Sequence, residues 1–153
     1  MTRLLIPDVN LLVYACNSNS PSHQDAYAWW EATLQQRRVI GLPWATSVGF
    51  IRIVTQARIL KNPMSVQDAI RRVRAWLDHP YVQIVTPGDR HGEILFDLLT
   101  EVGTGGNLTS DAHLAALAIE YQGEIASADA DFSRFPGLRW FNPLATRHRT
   151  RPL

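Results

Sequence analysis

The sequence predicts an α/β domain with a mainly parallel sheet, and three observations carry that expectation. Apolar runs of strand length alternate with longer segments whose apolar residues recur at i, i+3, i+4 and i+7. Such alternation puts helices on the faces of a parallel sheet. No internal repeat and no linker-like stretch divides the 153 residues, a length that sustains one hydrophobic core without cross-links. Residues 1–144 are therefore read as a single domain. Residues 145–153, with Arg147, Arg149 and Arg151 and no apolar period, are read as a basic, mobile tail.

Residues 3–6 form the first strand, stopped by Pro7, which lacks a donor, and by Asp8. Residues 11–16 are helical. A turn at 18–21 leads to a helix beginning near Ser22, with Ala26, Trp29, Trp30 and Thr33 on one face. The adjacent tryptophans are read as packing rather than as a base-stacking platform. Residues 39–42 make a second strand closed by Pro43, and 45–56 another helix. Ser65 and Asp68 open a helix in the manner of a capping box, followed by a stripe of Val66, Ala69, Ile70, Val73, Trp76 and Leu77. A third strand spans 82–85. The next helix carries Ile94, Leu95, Leu98, Leu99 and Val102, and glycines at 103, 105 and 106 connect it onward. Thr109 or Ser110 caps a helix with Leu114, Leu117, Ala118 and Tyr121 on one face. A fourth strand covers 124–127, a loop or short helix starts at Asp129, and 138–141 forms an edge strand.

Composition narrows the function classes. The formal net charge of +1 neither requires nor excludes a polyanionic partner. The single cysteine, Cys16, excludes an internal disulfide and reads as a buried, inert thiol. No run approaches the roughly 18 apolar residues of a membrane span, and no signal peptide precedes the first strand, so a cytoplasmic protein is expected. The five histidines show no metal-ligand spacing on one helix, and neither G-x-S-x-G nor G-x-G-x-x-G occurs.

Topology singles out the acids. In parallel sheets, ligands bind beyond the carboxyl ends of the strands. Asp8 follows the first strand and Asp129 the fourth, while Asp111 starts the helix that runs back to feed the fourth strand. All three are expected on one rim, with Asp131 able to join them. Clustered carboxylates repel and raise one another's pKa, and a hard divalent cation, Mg²⁺ or Mn²⁺, relieves that repulsion. The chemistry that follows is activation of a bound water against a phosphodiester. Each acid also has a structural reading: Asp8 as an N-cap, Asp111 as a partner of the helix dipole, Asp129 and Asp131 as turn formers. On the residues alone, both readings stand.

The segments P-D-V-N-L-L-V-Y-A at 7–15, G-F-I-R at 49–52, N-L-T-S-D-A-H-L-A-A-L-A at 107–118 and S-A-D-A-D-F-S-R-F-P-G-L-R-W at 127–140 add a resemblance. Together they resemble the PIN-domain ribonucleases and, within them, the VapC toxins of toxin–antitoxin pairs, over nearly the whole chain to about residue 144. The resemblance implies a three-layer α/β/α sandwich and Mg²⁺- or Mn²⁺-dependent cleavage of RNA. It puts the family's aspartates on Asp8, Asp111 and Asp129, with Asp131 a neighbouring acid. Asn10, Ser110 and Ser127 match polar positions around the family's metal site, and they also suit caps and turns. Arg52 is a candidate to touch an RNA phosphate or orient a carboxylate, or simply a helix residue reaching solvent. A cognate VapB-like antitoxin and a homodimer are implied as partners.

One departure stands out. Many members carry a glutamate in the helix before G-F-x-R, and its position falls on or beside Ser47 here. Two rivals follow: a non-catalytic PIN domain that binds RNA or protein, and a phosphatase. The phosphatase lacks its second acid at Asp8-Val9-Asn10.

Overall fold

Pro7 ends the first strand, β1 (Leu5–Pro7), and Asp8 turns the chain at once into α1 (Val9–Cys16). This is seen in a computed structural model that describes residues 3–144; the expected basic tail lies outside the described residues. The chain continues through α2 (His23–Gln35), β2 (Ile40–Gly41), α3 (Trp44–Val54), α4 (Val66–Leu77) and β3 (Val82–Gln83). Then come α5 (His91–Val102), α6 (Leu108–Glu120), β4 (Glu124–Ala126), a 3-10 turn (Ala130–Arg134) and β5 (Arg139–Phe141). The strands form one sheet in the order β3-β2-β1-β4-β5. All four pairings are parallel, including that of the edge strand β5.

The pleat of β1 divides the core in two, because successive side chains leave a strand on opposite faces. Leu5 belongs to a cluster with α1 to α4, where Phe50, Trp30 and Trp76 meet. Ile6 belongs to a second cluster with α5, α6, Phe132 and Phe135. The sheet is thus a middle layer between two helical ones. Trp30 is buried in the first cluster and Trp29 packs against its edge, so the tryptophan pair has its packing role. On α4, Ala69, Val73 and Trp76 are buried, whereas Val66 and Ile70 stay exposed. The expected cap at Ser65 accepts a bond from the Asp68 amide. Cys16 is half-buried, and burial pushes its thiol up. No described helix is long and apolar enough to cross a membrane.

Helix α6 starts two or three residues earlier than the cap expectation at Thr109 or Ser110. Its N-cap position is Asn107, and Thr109 and Ser110 sit in the first turn. The apolar Leu108, buried against the α5 side, draws the helix start back toward the glycines. Its far end is tightly closed. The Gln122 and Gly123 amides donate to the Ile119 and Ala118 carbonyls, a Schellman arrangement with Gln122 in the left-handed region at φ 54°.

Gly123 follows because the backbone of the first strand passes against it. A Cβ there would lie 2.5 Å from the Leu4 carbonyl oxygen, a main-chain atom that accepts from the Glu124 amide. Gly123→Ala is therefore expected to destabilise the protein by about 2 kcal/mol, the range of overpacked sites. A chemical-denaturation midpoint checks this, and an unchanged midpoint would mean that β1 and β4 separate freely.

Candidate active site

The sheet reverses its order between β1 and β4: from β1 the chain builds outward to β2 and β3, then returns to add β4 and β5 on the other side. Such a switch point opens a crevice at the carboxyl ends of the strands. The candidate acids lie there. Asp8 follows β1 and Ser127 follows β4, and the Asp8 amide donates to the Ala126 carbonyl at 2.8 Å.

Asp8 is only 9% exposed. One carboxylate oxygen accepts from the Val9 amide at 2.8 Å, capping α1, and the other accepts from Ser127 Oγ at 2.7 Å. The structural and functional readings of Asp8 therefore coincide in one side chain. Fully buried Ser127 also accepts from the Asp129 amide at 2.9 Å, and Asp129 in turn accepts from the Asp131 amide at 2.9 Å. One serine thus ties the acid after β1 to the acids after β4.

Asp111, Asp129 and Asp131 can each offer one oxygen within 4.8 Å of the others'. Asp131 therefore joins the tightest group, while Asp8 stands beside it with both oxygens already engaged by the fold. The electrostatics register the crowding. Burial, and then Asp8, Asp129 and Asp131, push Asp111 up to about 6. Burial also raises Asp8, opposed by its bonds from Ser127 and Val9 and reinforced by Asp129. A set of carboxyls that cannot all ionise cheaply, offering only hard oxygen donors, fits a divalent cation.

A cleft of about 140 Å³ opens onto Asp8 and Asp111, lined also by Thr46, Ser110, His113 and Leu114. Thr46 and Ser47 are both buried in the first turn of α3. Of the two, Thr46 lines the cleft, so a hydroxyl occupies the wall where the family glutamate was expected. Exposed Arg52 lies in the last turn of α3, six residues and roughly 9 Å along the axis from Thr46. Among the described residues it makes no ion pair with the acids. Asn10, in the first turn of α1, keeps its Oδ1 buried without a partner among the described residues. A larger hollow of about 560 Å³ lies at the other ends of the strands, lined by Arg3, Gly123 and Arg139 among others, and holds no carboxylate.

Two site features need the packing to be read. Which of Thr46 and Ser47 faces the cleft depends on the rotation of a buried helix, and nothing local in the sequence marks His113 as a cleft residue. It lies in the cleft wall, its ring nitrogen 3.0 Å from that of His91 on α5, and burial and His91 lower its pKa.

A parallel α/β/α sandwich with carboxylates converging at its switch point defines a class, and the sequence profile of the PIN domain matches residues 5–138. The chain belongs to the PIN domain family. It is 47% identical over 141 residues to Ribonuclease VapC33 of Mycobacterium tuberculosis, across 92% of this chain and 99% of that protein. It is 41% identical over 140 residues to Ribonuclease VapC37 of the same organism, across 92% and 97%. Among solved structures, VapBC2 from Rickettsia felis bound to a DNA fragment from their promoter contains a chain of the same fold. Its TM-score is 0.68 at 17% identity, over 91% of this chain and 98% of that one.

Proposed function

We propose that this chain is a metal-dependent endoribonuclease, the toxin of a toxin–antitoxin pair, that cuts RNA at the acidic rim. The observation that carries this reading is the group of Asp111, Asp129 and Asp131 oxygens within 4.8 Å, with Asp8 beside it at the sheet's switch point. The ribonuclease names of the VapC relatives support it.

In this reading Asp8, Asp111 and Asp129, with Asp131 beside them, would hold the cation, and the Ser127 hydroxyl would keep Asp8 in place. A Mg²⁺ or Mn²⁺ ion bound there supplies the Lewis acidity that activates water and offsets charge on the phosphodiester. Ser127 orients Asp8 and Asp129 together. Ser110 and Thr46 offer hydroxyls to the strand from the cleft wall; Ser47 is buried beside Thr46, and Asn10, with its Oδ1 buried, lies in the first turn of α1. Exposed Arg52, in the last turn of α3, is a candidate to meet an RNA phosphate or to orient a carboxylate. Salt-dependent affinity for the RNA backbone then comes from cations outside the acidic group.

A VapB-like antitoxin and a second copy of the chain are the proposed protein partners, in keeping with the VapBC pairing named for the Rickettsia felis structure. RNA as substrate puts the activity in the cytoplasm.

The test is a cleavage assay on antitoxin-free protein, with total RNA and Mg²⁺, Mn²⁺ or EDTA. Discrete fragments are expected with metal, none with EDTA, and none from an Asp8→Asn preparation purified in parallel. Binding of RNA without cleavage at every metal concentration would overturn the proposal in favour of a non-catalytic domain.

A further inference from the structure

The imidazoles of His91 and His113 join α5 to α6, and His113 lines the acidic cleft. Their rings meet nearly edge-on, with centroids 4.7 Å apart, and His91 Nε2 lies 3.0 Å from His113 Nδ1. One of these two nitrogens must carry the bridging proton. His91 decides which. It is 92% buried, being 8% exposed, and its Nδ1 has no hydrogen-bond partner among the described residues.

An orphaned buried N–H is rarer, and costs more, than an idle lone pair. The proton of His91 therefore sits on Nε2 and is donated to His113 Nδ1. With its Nδ1 accepting, neutral His113 must carry its own proton on Nε2. That atom is not among the described buried polar atoms that lack a partner, so it keeps access to solvent, and its side chain lines the cleft with Asp8, Ser110 and Asp111.

We infer that His113 contacts bound RNA, donating its Nε2–H to an oxygen of the strand, and that His91 is the positioning residue that fixes this tautomer. The inference rests on the ribonuclease reading. RNA presents a row of oxygen acceptors, whereas ionised Asp8 and Asp111 only accept. A wall made of carboxylates alone would meet the strand with acceptors against acceptors. Beside the hydroxyls of Ser110 and Thr46, the His113 N–H adds a donor of fixed direction to that wall. Ser110, His113 and Leu114 share one face of α6, which puts this donor one turn beyond the Ser110 hydroxyl. The bond to His91 prevents the ring from presenting a bare lone pair instead.

The experiment has two readouts on the same proteins. Long-range ¹H–¹⁵N spectra of histidine-labelled, metal-free protein at pH 7.5 are expected to show both rings as Nε2–H tautomers. In His91→Leu, His113 is expected to gain a population protonated at Nδ1. In cleavage, His113→Phe is expected to lower kcat/KM about tenfold, chiefly through KM, as one lost hydrogen bond to substrate does. His113→Gln, which keeps an N–H donor, recovers most of that loss. His91→Leu, which keeps the ring but frees its tautomer, loses about threefold. Melting curves verify folding, and if His113→Phe does not fold, the spectra and rate of His91→Leu decide. A parent protein that cleaves RNA with a His113→Phe variant equally fast, or spectra with the His113 proton on Nδ1, would overturn the inference alone. A parent that cleaves nothing removes the ribonuclease reading and the RNA contact with it, while the spectra still report the tautomer.

Discussion

Asp111→Asn is expected to lower RNA cleavage by about a thousandfold, the scale on which a group that stabilises developing charge matters, and to raise the melting temperature in metal-free buffer at pH 7.5. The two effects share one cause. Burial and three neighbouring acids lift Asp111 from 3.8 to about 6. Between those values the folded chain holds a proton that the unfolded chain has released, so stability falls as pH rises through the window and stays lower above it. Asparagine has no charged form to penalise, and the variant escapes the loss. Asp8, also raised by burial, leaves the variant a residual slope of the same sign.

A divalent cation reverses the ranking at pH 7.5, because it binds the folded parent and has lost a ligand in the variant. Melting curves at pH 5 and pH 7.5, with EDTA and with Mn²⁺, check all of this on two proteins. A variant no more stable than its parent in EDTA at pH 7.5 would show that the carboxyls are not crowded, and a variant that cleaves normally would remove Asp111 from the site.

Ser127→Ala is expected to damage stability and activity together. The hydroxyl donates to Asp8 and accepts from the Asp129 amide in a position with no solvent exposure. Its removal leaves a buried carboxylate oxygen and a main-chain N–H short of a partner, at about 2 kcal/mol in all. For a chain of this size that is a fall of roughly 4–8 °C in Tm. Without the Ser127 bond, which lowers the pKa of Asp8, that acid moves further up and ionises less readily. Loss of a group that orients ligands lowers metal affinity or activity by about 10–100-fold. Titrating Mn²⁺ against cleavage separates the two routes: the expected result is a rightward shift of the metal dependence with partial recovery at saturation. Unshifted metal dependence would mean that Ser127 only closes the turn.

The rim was legible because strand ends and helix starts are marked by side chains with strong local preferences. Pro7-Asp8 after an apolar run, and Asp129 after another, put two acids beyond the carboxyl ends of their strands before any contact is known. The helix that delivers Asp111 was legible from its period, though its start was not. Asn107 makes no side-chain cap bond, so nothing local distinguishes it from Thr109 and Ser110, which suit a cap as well. That Asp131 comes as close to Asp111 and Asp129 as they do to each other depends on the 3-10 turn after β4, which the sequence does not mark. Thr46 against Ser47 is a question of helix rotation within a packed layer. The pairing of His91 with His113 depends on how α5 lies across α6, a tertiary fact that neither helix encodes alone.

The site also has a birth date within synthesis. Its strand order sets the first-made strand between β2 and β4, and the hydroxyl that secures Asp8 is 119 residues downstream of it. While the chain is being made, Asp8 and α1 emerge early and can pack with α2 to α4, yet one side of β1 stays open until β4 arrives. A chain stopped short of Ser127 holds Asp8 and Asp111 but has no rim for them to share. The acidic rim is therefore assembled only after most of the chain has been made, a consequence of the order of the strands.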